Sequence, residues 1–169
     1  MSFLTNLDYI LNPDFKWNNA YFEEKSASMK VDLVTDGCQT IIFQLDKQLD
    51  RKYKGGLYPF FNNGNKNVCK ACDYIIFSEH KGDVYALIIE MKKGNHSTSE
   101  QLKAGICFVD FVISNLNRVY RTNYKIKVRK ISIKDIKRKR KTKIKDISYD
   151  ENSHHTFDQN KFRTIAFLK

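Results

Sequence analysis

An α/β architecture, with a β-sheet covered by helix, is predicted by three features of the chain. Val84 to Ile89 is a run of six consecutive apolar or aromatic residues, which suits a strand buried on both faces. Cys72 to Phe77 is a second run, interrupted only by Asp73, and a short turn through Glu79-His80-Lys81-Gly82-Asp83 joins the two. Leu102, Ile106, Val109, Ile113 and Leu116 then recur at helical spacing, giving one apolar stripe to lie on the sheet.

The remaining elements follow in order. Ser2 to Leu11 reads as a short helix stopped by Asn12-Pro13, and Asn18 to Met29 as a second helix. Val31 to Val34 and Thr40 to Leu45 read as strands separated by a turn at Asp36-Gly37. Lys54-Gly55-Gly56 and Asn62-Asn63-Gly64-Asn65 mark a polar excursion, in which Tyr53, Tyr58, Phe60 and Phe61 suit a packed loop better than a base-stacking surface. Ser97-Thr98-Ser99-Glu100 has the spacing of a capping box and opens the long helix. Lys125 to Ile133 reads as a strand with a bulge near Arg129-Lys130, because its isoleucines and valines change parity there. Lys137 to Lys141 reads as a basic hairpin tip or loop, and Thr164 to Leu168 as a terminal strand.

With 169 residues and no linker or repeat, residues 1–169 are expected to form one domain with a core large enough to need no disulfide or metal. The N-terminal residues lack a secretory pattern and no stretch approaches a membrane span, so a soluble, cytoplasmic protein without a membrane partner is expected. The four cysteines then remain thiols. Cys69-Lys70-Ala71-Cys72 is a lone Cys-x-x-Cys, and His154-His155 lacks the spacing of a zinc module.

The formal charge of +11 is concentrated. Residues 118–145 hold 14 Lys or Arg and one acid, a balance of +13, whereas the rest of the chain holds 16 basic and 18 acidic residues, a balance of −2. A near-neutral body with one polycationic segment points to a phosphate-rich partner, whose condensed counterions are released on binding. Lys125, Lys127, Arg129, Lys137, Arg138, Lys139, Arg140 and Lys141 are the candidate contacts.

An acid-x-Lys tripeptide occurs at Asp14, Glu23, Asp50, Glu79 and Asp135 as well as at Glu90, but only Glu90 closes a long apolar run. Strand alternation places Glu90 and Lys92 on one face, and the short turn folds Asp73 back beside them. Two carboxylates and an amine then converge where a buried strand emerges.

This order of elements, with Asp73, Glu90-Met91-Lys92 and a following helix that opens with Gln101, resembles the PD-(D/E)xK, or restriction-endonuclease-like, nuclease superfamily. The resemblance spans about Ala20 to Ile133, and Cys72 stands where the family has proline before the aspartate. It implies the restriction-endonuclease-like α/β fold, a central mixed β-sheet flanked by helices, and a Mg²⁺-dependent nuclease, Mn²⁺ being a substitute. Asp73 and Glu90 would be metal ligands with the backbone carbonyl of Met91, Lys92 would orient or activate the attacking water, and Gln101 would support the site. Glu23 or Glu24 is the candidate for the acid that an N-terminal helix sometimes adds. Beside the ion, Lys92 is expected to have a lowered pKa. DNA is favoured over RNA, and a homodimer or a protein partner remains open. Restriction, phage defence, repair and junction resolution are not separated. The competing class is a non-catalytic nucleic-acid-binding module on the same fold, which metal binding would distinguish.

Overall fold

The computed structural model describes residues 2–46, 58, 60–62, 64–134 and 147–169. Lys137 to Lys141 and Tyr53 lie outside the described residues. The described chain is mixed α/β, with two helices and two mixed sheets. Helix α1 spans Phe3–Ile10 and α2 spans Ser99–Tyr120. The strands are β1 (Tyr21–Glu24), β2 (Met29–Val34), β3 (Gln39–Gln44), β4 (Tyr74–His80), β5 (Asp83–Lys92), β6 (Ile126–Lys134), β7 (His154–Phe157) and β8 (Lys161–Arg163).

The larger sheet has the order β3-β4-β5-β6-β7, with β3, β4 and β5 antiparallel and β5, β6 and β7 parallel. Its register is fixed at a two-residue turn. Lys81 and Gly82 both take positive φ, 51° and 83°, the geometry that matches the twist of a tight hairpin. His80 therefore pairs with Asp83 and Tyr74 with Ile89, and the same register continued by one step sets Asp73 opposite Glu90.

Both faces of this sheet are covered, but by different material. Phe3, Leu4 and Leu7 of α1 and Leu102, Val109, Ile113 and Leu116 of α2 pack with Ile75, Phe77, Ala86 and Ile88 on one face. Tyr74, Ile76, Leu87, Ile89 and Met91 face the other way, onto the three-stranded sheet β1-β2-β8. The expected flanking helices thus lie on one side only, and a second sheet replaces them on the other. Each fully buried Leu, Ile or Phe contributes roughly 1.5–3 kcal/mol, so both layers are held mainly by burial.

The second sheet corrects the expected helix over Asn18 to Met29. That segment has no apolar repeat of three or four residues. It forms β1, a turn with Ser28 at φ 51°, and the start of β2, so that Phe22, Val31 and Leu33 bury alternate side chains. Strand β6 is also simpler than expected. It pairs with β5 without interruption from Ile126 to Lys134, and no bulge occurs. The parity change reflects two buried faces: Ile126 and Val128 pack on the helical side, Ile131 and Ile133 on the other. The expected terminal strand is a 3-10 turn over Thr164–Phe167 that follows β8.

Helix α2 begins at Ser99 rather than through a capping box. Thr98 is its N-cap residue but makes no side-chain cap bond, Ser97 Oγ accepts from the Ser99 amide at 3.2 Å, and Glu100 pairs with Lys103 at 3.1 Å. The helix presses unusually close to the sheet at Gly105, where a Cβ would lie 2.4 Å from Ile88 Cγ2 and 3.0 Å from Cys72 Sγ. No helix among the described residues is long and apolar enough to cross a membrane.

Candidate active site

The site is built where β4 begins and β5 ends. Glu90 lies on β5 with Ile88 on the helical face, and only 1% of its surface is exposed. Lys92, the next residue on that face, reaches back so that its Nζ lies 3.1 Å from Glu90 Oε1. Asp73 is 5% exposed, and its Oδ2 accepts a 2.6 Å hydrogen bond from the Met91 amide. Its carbonyl accepts from the Leu45 amide at 2.9 Å, which ties the end of β3 to the same point. The structure therefore brings together Asp73, Glu90, Lys92 and the Met91 backbone, as the strand register requires.

The electrostatics of this group are unusual for exposed-type residues. Burial pushes Asp73 up to about 8, with the charge of Glu90 adding to the effect and the Met91 amide opposing it. Burial also pushes Glu90 up, to about 7, against the hydrogen bond and charge of Lys92. For Lys92, burial acts downward, but the bond to Glu90 and the charges of Glu90, Asp73 and Glu24 outweigh it and raise its pKa. The acids beside Lys92 thus outweigh its burial, and the lowering expected from the sequence would require an ion beside it.

Glu90 Oε2 is buried and has no hydrogen-bond partner in the structure. An unsatisfied buried carboxylate oxygen is costly, and a cation or a proton is what would satisfy it. Among the described residues no group of three or more His, Cys, Asp or Glu side chains is assembled as a ready-made metal cage. Two hard carboxylates with an unsatisfied oxygen suit Mg²⁺, which keeps several waters and is held by one or two carboxylates plus substrate phosphate. They do not suit a structural zinc, and Cys69 and Cys72 are free thiols, with Cys72 buried beneath α2.

Two further carboxylates act on this pair. Glu24, at the end of β1, raises Asp73, and Asp46, just past β3, raises both Asp73 and Glu90. Glu24 sits on a strand instead of the expected helix, and the sequence reading considered it. Tyr74 holds that strand in place, its hydroxyl donating to the Glu23 carbonyl at 2.9 Å and accepting from the Glu23 amide at 3.2 Å. Glu23 itself pairs with Lys25 at 3.9 Å. Asp46 was missed, although its signal matches that of Glu90: it follows the apolar end of a strand, after Phe43 and Leu45.

Gln101 stands half-buried in the first turn of α2. Beside it runs a hydrogen-bond chain that no sequence feature announced. Thr98 Oγ1 lies 2.6 Å from Ser132 Oγ, Ser132 Oγ lies 2.8 Å from His154 Nε2, and the His154 amide donates to Asp150 Oδ1 at 2.9 Å. Ser132 is the β6 residue paired with Glu90, so this chain fastens the start of α2 to the strand beside the site. Burial lowers the His154 pKa, with Asp150 opposing and Lys130, His155 and Lys134 assisting.

Of the predicted basic contacts, the three among the described residues are not assembled here. Lys125 is exposed just before β6. Lys127 binds Asp83 Oδ2 at 2.7 Å and lies over the Tyr85 ring, while Arg129 bonds the Lys169 carbonyl and lies over Tyr149. Lys127 is five residues from Ser132 along β6, about 16 Å at strand rise. The β6 cations nearest in register are Lys130, paired with Ile88, and Lys134, paired with Lys92. A cleft of about 790 Å³ between α1, Lys16 to Ala20 and β3 residues Gln39 to Ile42 shares no lining residue with the carboxylates. Comparison of the chain with models of known protein families, with curated proteins and with solved structures finds no match.

Proposed function

We propose that the chain is a Mg²⁺-dependent nuclease of the PD-(D/E)xK, restriction-endonuclease-like superfamily, hydrolysing phosphodiester bonds of nucleic acid, with DNA the favoured substrate. The observation that carries this reading is the convergence of Asp73, Glu90 and Lys92 at a buried strand end, with one Glu90 oxygen left unsatisfied. The succession of antiparallel strands β3, β4 and β5, crossover helix α2 and parallel strand β6 supports it, whereas the helix that the resemblance implies from about Ala20 is replaced by β1 and β2.

In this reading Asp73, Glu90 and the Met91 carbonyl hold the ion, and Lys92 positions the water that attacks phosphorus. The ion supplies charge stabilisation on the phosphate and lowers the pKa of a bound water. Asp73 and Glu90 hold protons up to near-neutral pH when alone, so binding a cation displaces those protons and strengthens with rising pH. Glu24 and Asp46 add negative charge around the pair, which would favour a cation, and Glu24 also helps to keep Lys92 protonated. Thr98, Ser132 and His154 fasten the start of α2, whose first turn carries Gln101, to the strand paired with Glu90.

The absence of a three-carboxylate cluster among the described residues favours the second reading, a non-catalytic nucleic-acid-binding module. One experiment separates them. Circular single-stranded and double-stranded DNA is incubated with the protein, with and without Mg²⁺ or Mn²⁺, and with Asp73→Asn in parallel. Metal-dependent linearisation by the wild type alone is expected. Binding without cutting in every arm would leave the module.

A further inference from the structure

The segment that leads into Asp73 presents two kinds of exposed side chain. Phe60 is 75% exposed and Phe61 46%, with ring centroids 4.7 Å apart and planes at 55°. Tyr58 packs against both, at 6.4 and 6.0 Å between centroids. It is itself half-buried, and burial followed by the nearby thiols of Cys72, Cys107 and Cys69 pushes its hydroxyl up to about 12. Tyr58 is thus the half-buried member of the aromatic group, with the two phenylalanines lying outward of it. The expectation of a packed loop holds for Tyr58 and fails for the two phenylalanines.

Successive turns shape the segment. The Phe61 amide donates to the Tyr58 carbonyl at 3.0 Å, the Gly64 amide to Asn62 Oδ1 at 3.0 Å, and the Asn65 amide to the Asn62 carbonyl at 3.1 Å. Lys66 and Lys70 follow, both exposed. From Arg51 to Cys72 the sequence contains five Lys or Arg residues and no acid. Two bare aromatic rings within a purely cationic stretch match the combination that single-stranded nucleic acid requires: faces for bases and charge for phosphates.

We propose that Phe60 and Phe61 form a stacking platform for unpaired bases of the nucleic acid cut at Asp73 and Glu90, with Lys66 and Lys70 meeting the flanking phosphates. This rests on the nuclease reading and specifies its substrate class as nucleic acid carrying a single-stranded stretch. A duplex keeps its base faces stacked on one another, so an aromatic platform gains little from it. An unpaired base has a free π-face of any sequence, and two rings tilted to each other offer a surface to more than one base. The resulting preference is for strand state over sequence.

The test is binding in EDTA, by fluorescence anisotropy, of the full chain to single-stranded oligo(dT), oligo(U) and a duplex of equal length. The Phe60→Ala/Phe61→Ala variant should lose roughly ten-fold or more on both single strands and little on the duplex. Phe60→Trp should keep the affinity, and 2-aminopurine in the single strand should show stacking with wild type but not with the double alanine variant. Because both rings are exposed, melting should be unchanged. Equal losses on single strand and duplex, or single-strand affinity that does not move, would overturn the platform. So would loss of self-association in the double variant with nucleic-acid binding intact, since the rings would then be a protein contact. The nuclease reading is judged apart: a wild type that stacks 2-aminopurine but never cuts circular DNA with Mg²⁺ retains the platform and loses the enzyme.

Discussion

Strand β5 begins and ends with an acid–lysine pair, and the two behave in opposite ways. At its start, Asp83 bonds Lys127 at 2.7 Å with both side chains nearly half exposed. The hydrogen bond that Lys127 donates to Asp83 lowers the Asp83 pKa and raises that of Lys127, so both stay charged. At its end, Glu90 bonds Lys92 at 3.1 Å, yet burial overrides the lysine and raises the carboxyl. A lysine within hydrogen-bond reach does not decide whether an acid is ionised; access to water does. The start of the strand is an ordinary surface pair, and the end is a buried carboxyl pair that resists ionisation.

The largest effect should come from removing those carboxyls. Asp73→Asn and Glu90→Gln should each reduce Mg²⁺-dependent cleavage by at least ~10³-fold, equivalent to roughly 4 kcal/mol of barrier, because each removes an anionic ligand at nearly constant volume. Asp83→Asn should cut at the wild-type rate. Initial rates on a labelled substrate decide it, and an Asp73→Asn protein that matches wild type would show that the site lies elsewhere.

The two ends should also oppose each other in pH dependence. In chelator, Asp73 and Glu90 keep protons in the folded protein at pH values where the unfolded chain has released them. Folded-state pKa values are raised, so their contribution is fully present below the ordinary carboxylate range and is lost as pH rises through about 7 and about 8. Asp83 runs the other way: its pKa is lowered, and its contribution is lost as pH falls below the ordinary range. Urea midpoints in EDTA should therefore decline between pH 5 and pH 9, by an amount on the order of a few kcal/mol. Glu90→Gln should flatten the decline, and Mg²⁺ should reverse part of it. A wild-type midpoint that climbs across this range would mean that the pair is already ionised and solvated.

The sequence disclosed the buried end of β5 more fully than what surrounds it. The apolar run from Val84 to Ile89, the turn at Lys81-Gly82 and the stripe on α2 are local patterns, and each survives in the structure. The partners of those elements were hidden because they are set by distant pairing. Strand β1 has four residues and one buried side chain, Phe22, too little for a period to register. The β6 parity change was legible, but a bulge and two covered faces produce the same pattern, and only the second sheet chooses between them. Thr98, Ser132 and His154 meet across 34 and 22 positions of sequence, so no motif could have joined them.

The approach of α2 to the site was equally hidden, because Gly105 reads in sequence as a flaw in a helix. Alanine there should gain about 1 kcal/mol of helix propensity. Its Cβ would nonetheless meet Ile88 at 2.4 Å and Cys72 at 3.0 Å, both next to site residues, so the helix must shift. Overpacking of this kind costs roughly 1–3 kcal/mol. Gly105→Ala should therefore lower the urea midpoint despite its propensity, and should slow cleavage more than it weakens nucleic-acid binding. A stabilised Gly105→Ala protein would show that the contact is loose and that α2 does not set the spacing at Asp73.

The smallest effect should come from the exposed pair. Lys127 was a candidate phosphate contact, but its ammonium is already held by Asp83, over the Tyr85 ring, and about 16 Å along β6 from the residue beside Glu90. A cation neutralised within the protein releases no counterion from a phosphate. Exposed pairs are also screened at ordinary salt, so Lys127→Ala should leave the melting temperature unmoved. Its plot of log affinity against log salt on duplex DNA should keep the wild-type slope. A slope reduced by roughly 0.9, the value of one lost phosphate contact, would place the far end of the sheet in the nucleic-acid path. The two ends of β5 would then share one substrate instead of dividing surface from site.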